Sequence, residues 1–172
     1  MNLTTPEHDF MGTYLEKIQD LEHTREACDR LKALGKRIVF TNGCFDILHP
    51  GHTRYLRAAR ELGDHLVVAV NSDRSVRAIK GAGRPILPEK ARAELVAALG
   101  FVDAVIIFDQ DDPLEVITRL LPHILVKGGD WAEGEIIGAD VVKGAGGEVK
   151  RIALVPGYST SRIIEAILKK AP

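Results

Sequence analysis

Two histidines, His49 and His52, stand where a loop enters a helix, with Pro50 and Gly51 between them. Proline favours the first helical turn, which places His49 at or beside the N-cap. Side chains three positions apart share a helix face, so both imidazoles can point at one ligand. Free N–H groups and the helix dipole favour anions there. The segment therefore predicts a phosphate site, where Gly51 leaves room for close approach to the backbone.

The structural alternative is that His49 caps the helix and His52 is a satisfied surface histidine. Zinc is disfavoured, because the His-Glu-x-x-His pattern spaces its ligands four apart and supplies a carboxylate that this segment lacks. The sequence also offers no set of nucleophile, base and orienting acid of the serine or cysteine type. We therefore expect charge stabilisation rather than covalent catalysis, and no protein-held metal.

Two further segments carry groups suited to a nucleotide. Ser159, Thr160 and Ser161 are residue types that cap helices and would offer hydroxyls and free N–H groups to phosphate; the alternative is an ordinary capped amphipathic helix. The run from Lys127 to Trp131 combines a cation, two glycines and an aromatic ring, which suits a base or a ribose. Trp131 is either a stacking surface or a packing residue.

Short runs rich in β-branched residues alternate with helical patterns. This alternation predicts an α/β fold with a mostly parallel sheet of about five strands and helices on both faces. The predicted strands are 37–41, 65–70, 104–108, 124–126 and 149–154, and the predicted helices are 14–34, 51–62, 73–80, 88–99, 113–121 and 160–169. Because ligands bind at the carboxyl ends of such strands, the residues that follow each strand are the site candidates.

Bulk composition narrows the class of protein. The 172 residues have a net charge of -1, which argues against a nucleic-acid binder. The two cysteines, Cys28 and Cys44, are too few for a disulfide scaffold. Without a signal peptide or a membrane-length apolar run, we expect a cytoplasmic protein with no membrane partner. Residues 1–14 are predicted to be disordered or an oligomer contact, and residues 15–172 one domain; a homodimer is compatible with the sequence.

The run TNGCFDILHPGH, residues 41–52, resembles the signature of the cytidylyltransferase-like nucleotidyltransferases, which share a Rossmann-like, doubly wound fold. Within that superfamily it is most similar to the adenylyltransferases that make ADP-heptose. NSDRSVRAIKGAGRPI, LVKGGDW and GYSTSRII are similar to their counterparts in the same order. The resemblance covers residues 20–170. Cytidylyltransferases carry an arginine shortly before the last motif, whereas this chain has Leu154, Val155 and Pro156, which speaks against a glycerol-phosphate enzyme.

The resemblance implies that AMP is transferred from ATP, with Mg²⁺, to D-glycero-β-D-manno-heptose 1-phosphate. The products would be pyrophosphate and ADP-heptose for lipopolysaccharide core or surface polysaccharide synthesis. The sugar kinase fused to this domain in many bacteria is absent here, so the chain would be a stand-alone form. The alternatives are a cytidylyl- or adenylyltransferase for another phosphorylated small molecule and a non-catalytic nucleotide-binding regulator.

The resemblance also implies roles for particular residues. His49 and His52 would stabilise charge on the phosphates. Arg92, expected to point outward from a helix whose residues Leu95, Val96 and Leu99 face the core, would clamp the triphosphate, and Lys80 would fold over it or remain a solvated loop lysine. The expected nucleotide contacts are Asn42, Gly43, Cys44, Phe45, Gly51, His52, Lys127, Gly129, Asp130, Trp131, Ser159, Thr160 and Ser161.

The sugar phosphate is expected to contact Asp46, Asn71 and Asp73. Asp46 would orient a histidine or position Mg²⁺, or else only complement a helix dipole. Asn71 and Asp73 have a structural alternative as caps of the next helix. The nucleophile would be a phosphate oxygen that is already ionised, so in-line attack needs no general base.

Overall fold

The computed structural model describes residues 12–129, 136–153 and 155–170. Its five parallel strands lie in the order β3-β2-β1-β4-β5. They are β1 Ile38–Gly43, β2 His65–Asn71, β3 Ala104–Phe108, β4 Ile124–Gly128 and β5 Glu148–Ile152. The helices are α1 Gly12–Leu15, α2 Leu21–Ala33, α3 Pro50–Arg60, α4 Asp73–Lys80, α5 Glu89–Ala97, α6 Leu114–Leu120, α7 Ala139–Gly144 and α8 Thr160–Leu168. The predicted fold class is confirmed.

Both faces of the sheet are buried, which explains why the strand sequences read as near-continuous apolar runs. Side chains alternate between the faces along each strand. Ile38 and Phe40 pack with α2, α6 and α7, whereas Val39 packs on the other face with α3 and α5. The two apolar layers hold the strand ends in fixed register.

Chain order reverses at the centre of the sheet. From β1 the chain runs outward through β2 to β3, and it then returns to the other side of β1 to form β4 and β5. The β1–β4 boundary is therefore the switch point at which doubly wound sheets open a crevice for ligands. Both α3, which follows β1, and α8, which follows β5, begin at this end of the sheet.

The prediction of one helix over 14–34 is wrong, because α1 and α2 are separated by a short extended segment. Ile18 forms a parallel bridge with Val105. The N–H of Val105 donates to the carbonyl of Lys17 at 2.7 Å, and the N–H of Gln19 donates back to Val105 at 2.9 Å. Asp20 then caps α2 by accepting from the N–H of His23 at 2.8 Å. The segment covers the edge of β3, and the helical spacing of its apolar residues hid this break.

Two smaller differences concern the last part of the chain. Helix α7 was not predicted, and β5 ends at Ile152 rather than at 154. Leu154 and residues 1–11 of the predicted N-terminal segment lie outside the described residues. Across the parts that the structure describes, no helix has both the length and the apolar character needed to cross a membrane.

The packing predicts a contrast between two leucines. Leu125 in β4 has no exposed surface, whereas Leu168 in α8 is 68% exposed. Leu125→Ala leaves a cavity and should lower the free energy of unfolding by about 2–5 kcal/mol. Leu168→Ala, the control, should change it by no more than about 0.5 kcal/mol. Urea titration followed by circular dichroism measures both, and similar values for the two variants would contradict the described core.

Candidate active site

A cavity of about 580 Å³ opens at the carboxyl ends of the strands. Residues that follow each of the five strands contribute to its wall. The predicted site residues that the structure brings together there are Asn42, Gly43, Cys44, Phe45, Asp46, His49, Gly51, His52, Asn71, Lys80, Lys127, Ser159, Thr160 and Ser161. Its volume lies within the usual range for small-molecule sites.

The imidazoles of His49 and His52 stack on each other at the start of α3. Their ring centroids are 3.8 Å apart and the ring planes differ by 15°. His49 is the N-cap residue, as predicted, and its Nδ1 accepts from the N–H of His52 at 3.4 Å. Phe45 packs edge-on against His52 at 5.5 Å. The two rings therefore form one paired surface in the cavity wall.

Gly51 makes this stack possible. A Cβ at this position would lie 2.9 Å from both Cε1 and Nδ1 of His49 and 3.3 Å from Cβ of Tyr158. The first distance is shorter than real Cβ contacts allow, so any side chain would displace the His49 ring. In this structure the ring of His49 fills the space that a side chain at position 51 would need, so the close approach of a nucleotide to the Gly51 backbone stays a prediction.

Burial keeps the paired imidazoles neutral. Burial, the neighbouring His49 and the charge of Arg84 together lower the pKa of His52 to about 4, although the charge of Asp46 opposes this shift. Burial also lowers the pKa of His49. Among the residues described, Nδ1 of His52 is buried without a hydrogen-bond partner. Since a buried polar atom without a partner is costly, this atom is suited to a ligand.

The start of α8 forms the opposite wall. Ser159 caps the helix by accepting from the N–H of Arg162 at 3.3 Å. The hydroxyl of Thr160 donates to the backbone carbonyl of Asp46 at 2.7 Å, which ties this helix start to the loop that carries the histidines. Two helix N-termini and a group of hydroxyls consequently face one cavity, an arrangement that favours phosphate.

Lys127 places a cation at the end of β4. Its Nζ donates to the side-chain oxygen of Asn42, and burial lowers the pKa of Lys127 to about 8. Gly129 does not line the cavity; its N–H donates to the carbonyl of Ile152 at 2.8 Å and fixes the turn after β4. The predicted contacts Asp130 and Trp131 lie outside the described residues.

The prediction that Arg92 points outward is wrong, because its side chain is fully buried. Its guanidinium donates to three carbonyls and to the carboxylate of Asp73 at 2.9 Å. The carbonyls belong to Cys44, Asn71 and Leu87. Leu95, expected in the core, is 42% exposed instead. Two of these carbonyls lie at the ends of β1 and β2 and the third lies just before α5, so Arg92 joins these segments behind the wall and is not itself part of the cavity lining.

Asp46 and Asp73 also differ from expectation. The carboxylate of Asp46 accepts from Nε of Arg84 at 2.7 Å and from the N–H groups of Ile86 and Leu87 at 2.8 and 3.0 Å. Burial alone would raise the pKa of Asp46, but these donors hold it below its usual value. The predicted contact of Asp46 with a histidine is therefore wrong. Asp73 pairs with Arg92 and lies outside the cavity lining.

Other features of α4 were partly anticipated. Its N-cap is Ser72, not Asn71 or Asp73, while the side chain of Asn71 donates to Ser75 at 2.9 Å. Lys80, the last residue of α4, is exposed and lines the cavity as expected.

Sequence reasoning missed several lining residues. They are Tyr55, Ile79, Arg84, Asp111, Asp112, Pro113, Gly128, Ile137, Val155 and Tyr158. Two signals could have found some of them. Asp111 and Asp112 come shortly after the predicted third strand, and Tyr55 stands one helical turn beyond His52. Nothing in the sequence singles out Arg84.

Residues 40–166 match the family model described as cytidylyltransferase-like. The chain belongs to the cytidylyltransferase-like family. This membership confirms the prediction of a nucleotidyltransferase enzyme.

Relatives within this family agree in sequence and in structure. The bifunctional protein HldE of Syntrophotalea carbinolica is 50% identical over 157 residues, 91% of this chain and 32% of the relative. HldE of Citrifermentans bemidjiense is 53% identical over 152 residues, 88% of this chain and 31% of the relative. The chain thus spans about a third of the length of these curated relatives. The crystal structure of a lipopolysaccharide core biosynthesis protein from Thermoplasma volcanium has a TM-score of 0.59 and 33% identity, covering 70% of this chain and 98% of that one.

Gly51→Ala tests the steric role of the glycine in this cytidylyltransferase-like site. The added methyl group should push the His49 ring out of the stack and lower turnover about 10- to 100-fold, because small displacements of catalytic groups are costly. Pyrophosphate release measures turnover. Gly100→Ala is the control, since a Cβ there meets nothing within 4 Å. Equal turnover in the two variants would refute the argument.

The low pKa of His52 predicts its titration in the free enzyme. Imidazole NMR signals of His52 should not titrate between about pH 5.5 and 8, whereas those of exposed His23 should, since Asp20 raises the pKa of His23. The unfolded chain binds a proton near the ordinary histidine pKa and the folded site does not. His52 therefore makes the free energy of unfolding decrease as the pH falls from about 6.5 towards 4. A His52 titration near pH 6.5 would contradict the neutral stack.

Proposed function

We propose that the chain transfers AMP from ATP to D-glycero-β-D-manno-heptose 1-phosphate, which gives ADP-heptose and pyrophosphate. The observation that carries this proposal is the stacked pair His49 and His52 facing the hydroxyls at the start of α8 across one cavity. The choice of sugar and of adenine rests on the sequence resemblance in all four motifs. The similarity to a lipopolysaccharide core biosynthesis protein supports the same pathway.

The two halves of the cavity suit the two substrates. The β1, β4 and β5 ends bring the histidines, Lys127 and the Ser159–Ser161 hydroxyls, which suit the nucleotide. The β2 and β3 ends bring Asn71, with Lys80 from α4 and the carboxylates of Asp111 and Asp112, which suit a polyhydroxylated sugar phosphate. The acceptor oxygen and the α-phosphate would then meet beside the histidines.

Catalysis would consist of positioning and charge stabilisation. The acceptor phosphate is ionised near neutral pH and attacks the α-phosphate in line, so pyrophosphate leaves without a covalent enzyme intermediate. The neutral imidazoles would donate N–H groups to the phosphate oxygens, together with the helix N-termini and the charge of Lys80. One such contact contributes about 2–4 kcal/mol to lowering the barrier.

Mg²⁺ would enter with ATP as part of the substrate. Within the residues that the structure describes, no three His, Cys, Asp or Glu side chains are placed to hold a metal ion. Mg²⁺ commonly binds through substrate phosphates and few protein carboxylates, so the triphosphate would supply most ligands.

The proposal is tested by incubating the protein with each nucleoside triphosphate and a panel of sugar 1-phosphates, followed by mass identification of the product. We expect ADP-heptose from ATP and heptose 1-phosphate. His52→Ala should lower this turnover at least about a hundredfold without loss of fold, since it removes a charge-stabilising donor.

Two results would contradict the proposal. A preference for CTP or for another phosphorylated acceptor would support a different transferase of the family. Binding of ATP without turnover of any acceptor would support a nucleotide-binding regulator.

A further inference from the structure

Arg84, in the wall of the cavity, has unused hydrogen-bonding capacity. Its side chain is 15% exposed, and its Nε donates to the carboxylate of Asp46 at 2.7 Å. Neither of its two Nη amino groups donates a hydrogen bond to any residue in the described ranges. Arg92, by contrast, uses Nε and both Nη groups. A largely buried guanidinium with free N–H groups is suited to an anionic ligand.

Asp46 holds this guanidinium in place. Its carboxylate is fully buried and also accepts from the N–H groups of Ile86 and Leu87, so the segment around Arg84 is fastened at three points. The backbone carbonyl of Asp46 accepts from Thr160 at the start of α8. Arg84 is therefore positioned relative to both helix N-termini that face the cavity.

The location of Arg84 indicates which phosphate it reaches. It belongs to the connection between α4 and α5, on the side of the sheet where β2 and β3 end. Lys80 ends α4 in the same crossover between β2 and β3, whereas Lys127 lies in β4 and the α8 hydroxyls follow β5, and both of these strands are on the other side of β1 in the sheet. The charge of Arg84 is also close enough to His52 to lower the pKa of that imidazole.

We propose that the two Nη groups of Arg84 bind the phosphate of the acceptor and present it to the α-phosphate beside His52. Asp46 is the positioning residue that aims this guanidinium. The inference rests on the proposed function for the identity of the acceptor. Because a planar guanidinium binds two phosphate oxygens at once, lysine at this position cannot reproduce the contact.

Arg84→Lys tests this role, with Arg77→Lys as the matched control on exposed α4 surface. In Arg84→Lys the KM for heptose 1-phosphate should rise about 10- to 100-fold, because charge-assisted hydrogen bonds are lost. Affinity for a non-hydrolysable ATP analogue, measured by calorimetry, should change less than about threefold because that ligand occupies the other half of the cavity. Arg77→Lys should change neither quantity.

Asp46→Asn separates positioning from a general structural role. If Asp46 only positions Arg84, the variant should have a higher KM for the acceptor and an unchanged affinity for the ATP analogue. If Asp46 instead maintains the fold of the site, the variant should bind both ligands more weakly and have a lower melting temperature. If the Asp46→Asn variant does not fold, the acceptor KM and the ATP-analogue affinity of Arg84→Lys test the proposal on their own. An Arg84→Lys enzyme with unchanged acceptor KM, or with a loss confined to the ATP analogue, overturns the proposal.

A binding experiment keeps this inference separate from the proposed function. Inorganic phosphate is titrated into protein saturated with the ATP analogue, and its affinity should be about tenfold weaker in Arg84→Lys than in the wild type. If the wild type converts no sugar 1-phosphate, the proposed function fails, while the phosphate titration still reports on Arg84. Equal phosphate affinities for the two proteins would refute the assignment of Arg84.

Discussion

The stack of His49 on His52 is the contact on which the site depends. It brings two polar rings to a centroid distance of 3.8 Å in a partly desolvated wall. Two positively charged imidazoles would repel each other there, so the stack persists only while at least one ring is neutral. Gly51 leaves the space that His49 occupies, and Phe45 packs edge-on against His52. A triphosphate can therefore meet N–H donors that need no reorganisation.

The strand order of the sheet brings the N-termini of two helices together at the site. Because chain order reverses between β1 and β4, α3 and α8 begin at the same crevice although about 110 residues separate them. The bond from Thr160 to the carbonyl of Asp46 fixes their separation directly. Buried Arg92 joins the ends of β1 and β2 to the segment before α5. These polar contacts hold the walls of the crevice in place, while the two apolar layers on the faces of the sheet fix the strands that end there.

Local patterns in the sequence predicted the five strands, most of the helices and most of the residues in the cavity wall. These patterns are the proline after His49, the capping residues from Ser159 onward and the runs of β-branched residues in the strands. Each acts over only a few residues, so the sequence alone predicts the local structure. The helix predicted over 14–34 failed because helical spacing persists through Ile18, whose extended conformation depends on Val105, a distant partner.

Arginine roles could not be predicted in the same way. The apolar spacing of its helix predicted an exposed Arg92, yet its guanidinium is buried and donates to the carbonyls of Cys44 and Asn71, which are distant in sequence, and to that of nearby Leu87. Arg84 stands in a glycine-rich stretch and looks solvated in sequence. Its burial and its pairing with Asp46 arise only when the β1 loop and the segment before α5 meet. Whether a buried donor finds a hydrogen-bond partner depends on the tertiary structure, so the spacing of apolar residues along the sequence does not predict it.

The most direct test is a crystal structure of the protein with Mg²⁺ and a non-hydrolysable ATP analogue. The account predicts phosphate oxygens within hydrogen-bond distance of the His49 and His52 rings on one side and of the Ser159–Ser161 hydroxyls and N–H groups on the other. A triphosphate bound elsewhere, or with both imidazoles turned away from its oxygens, would contradict it.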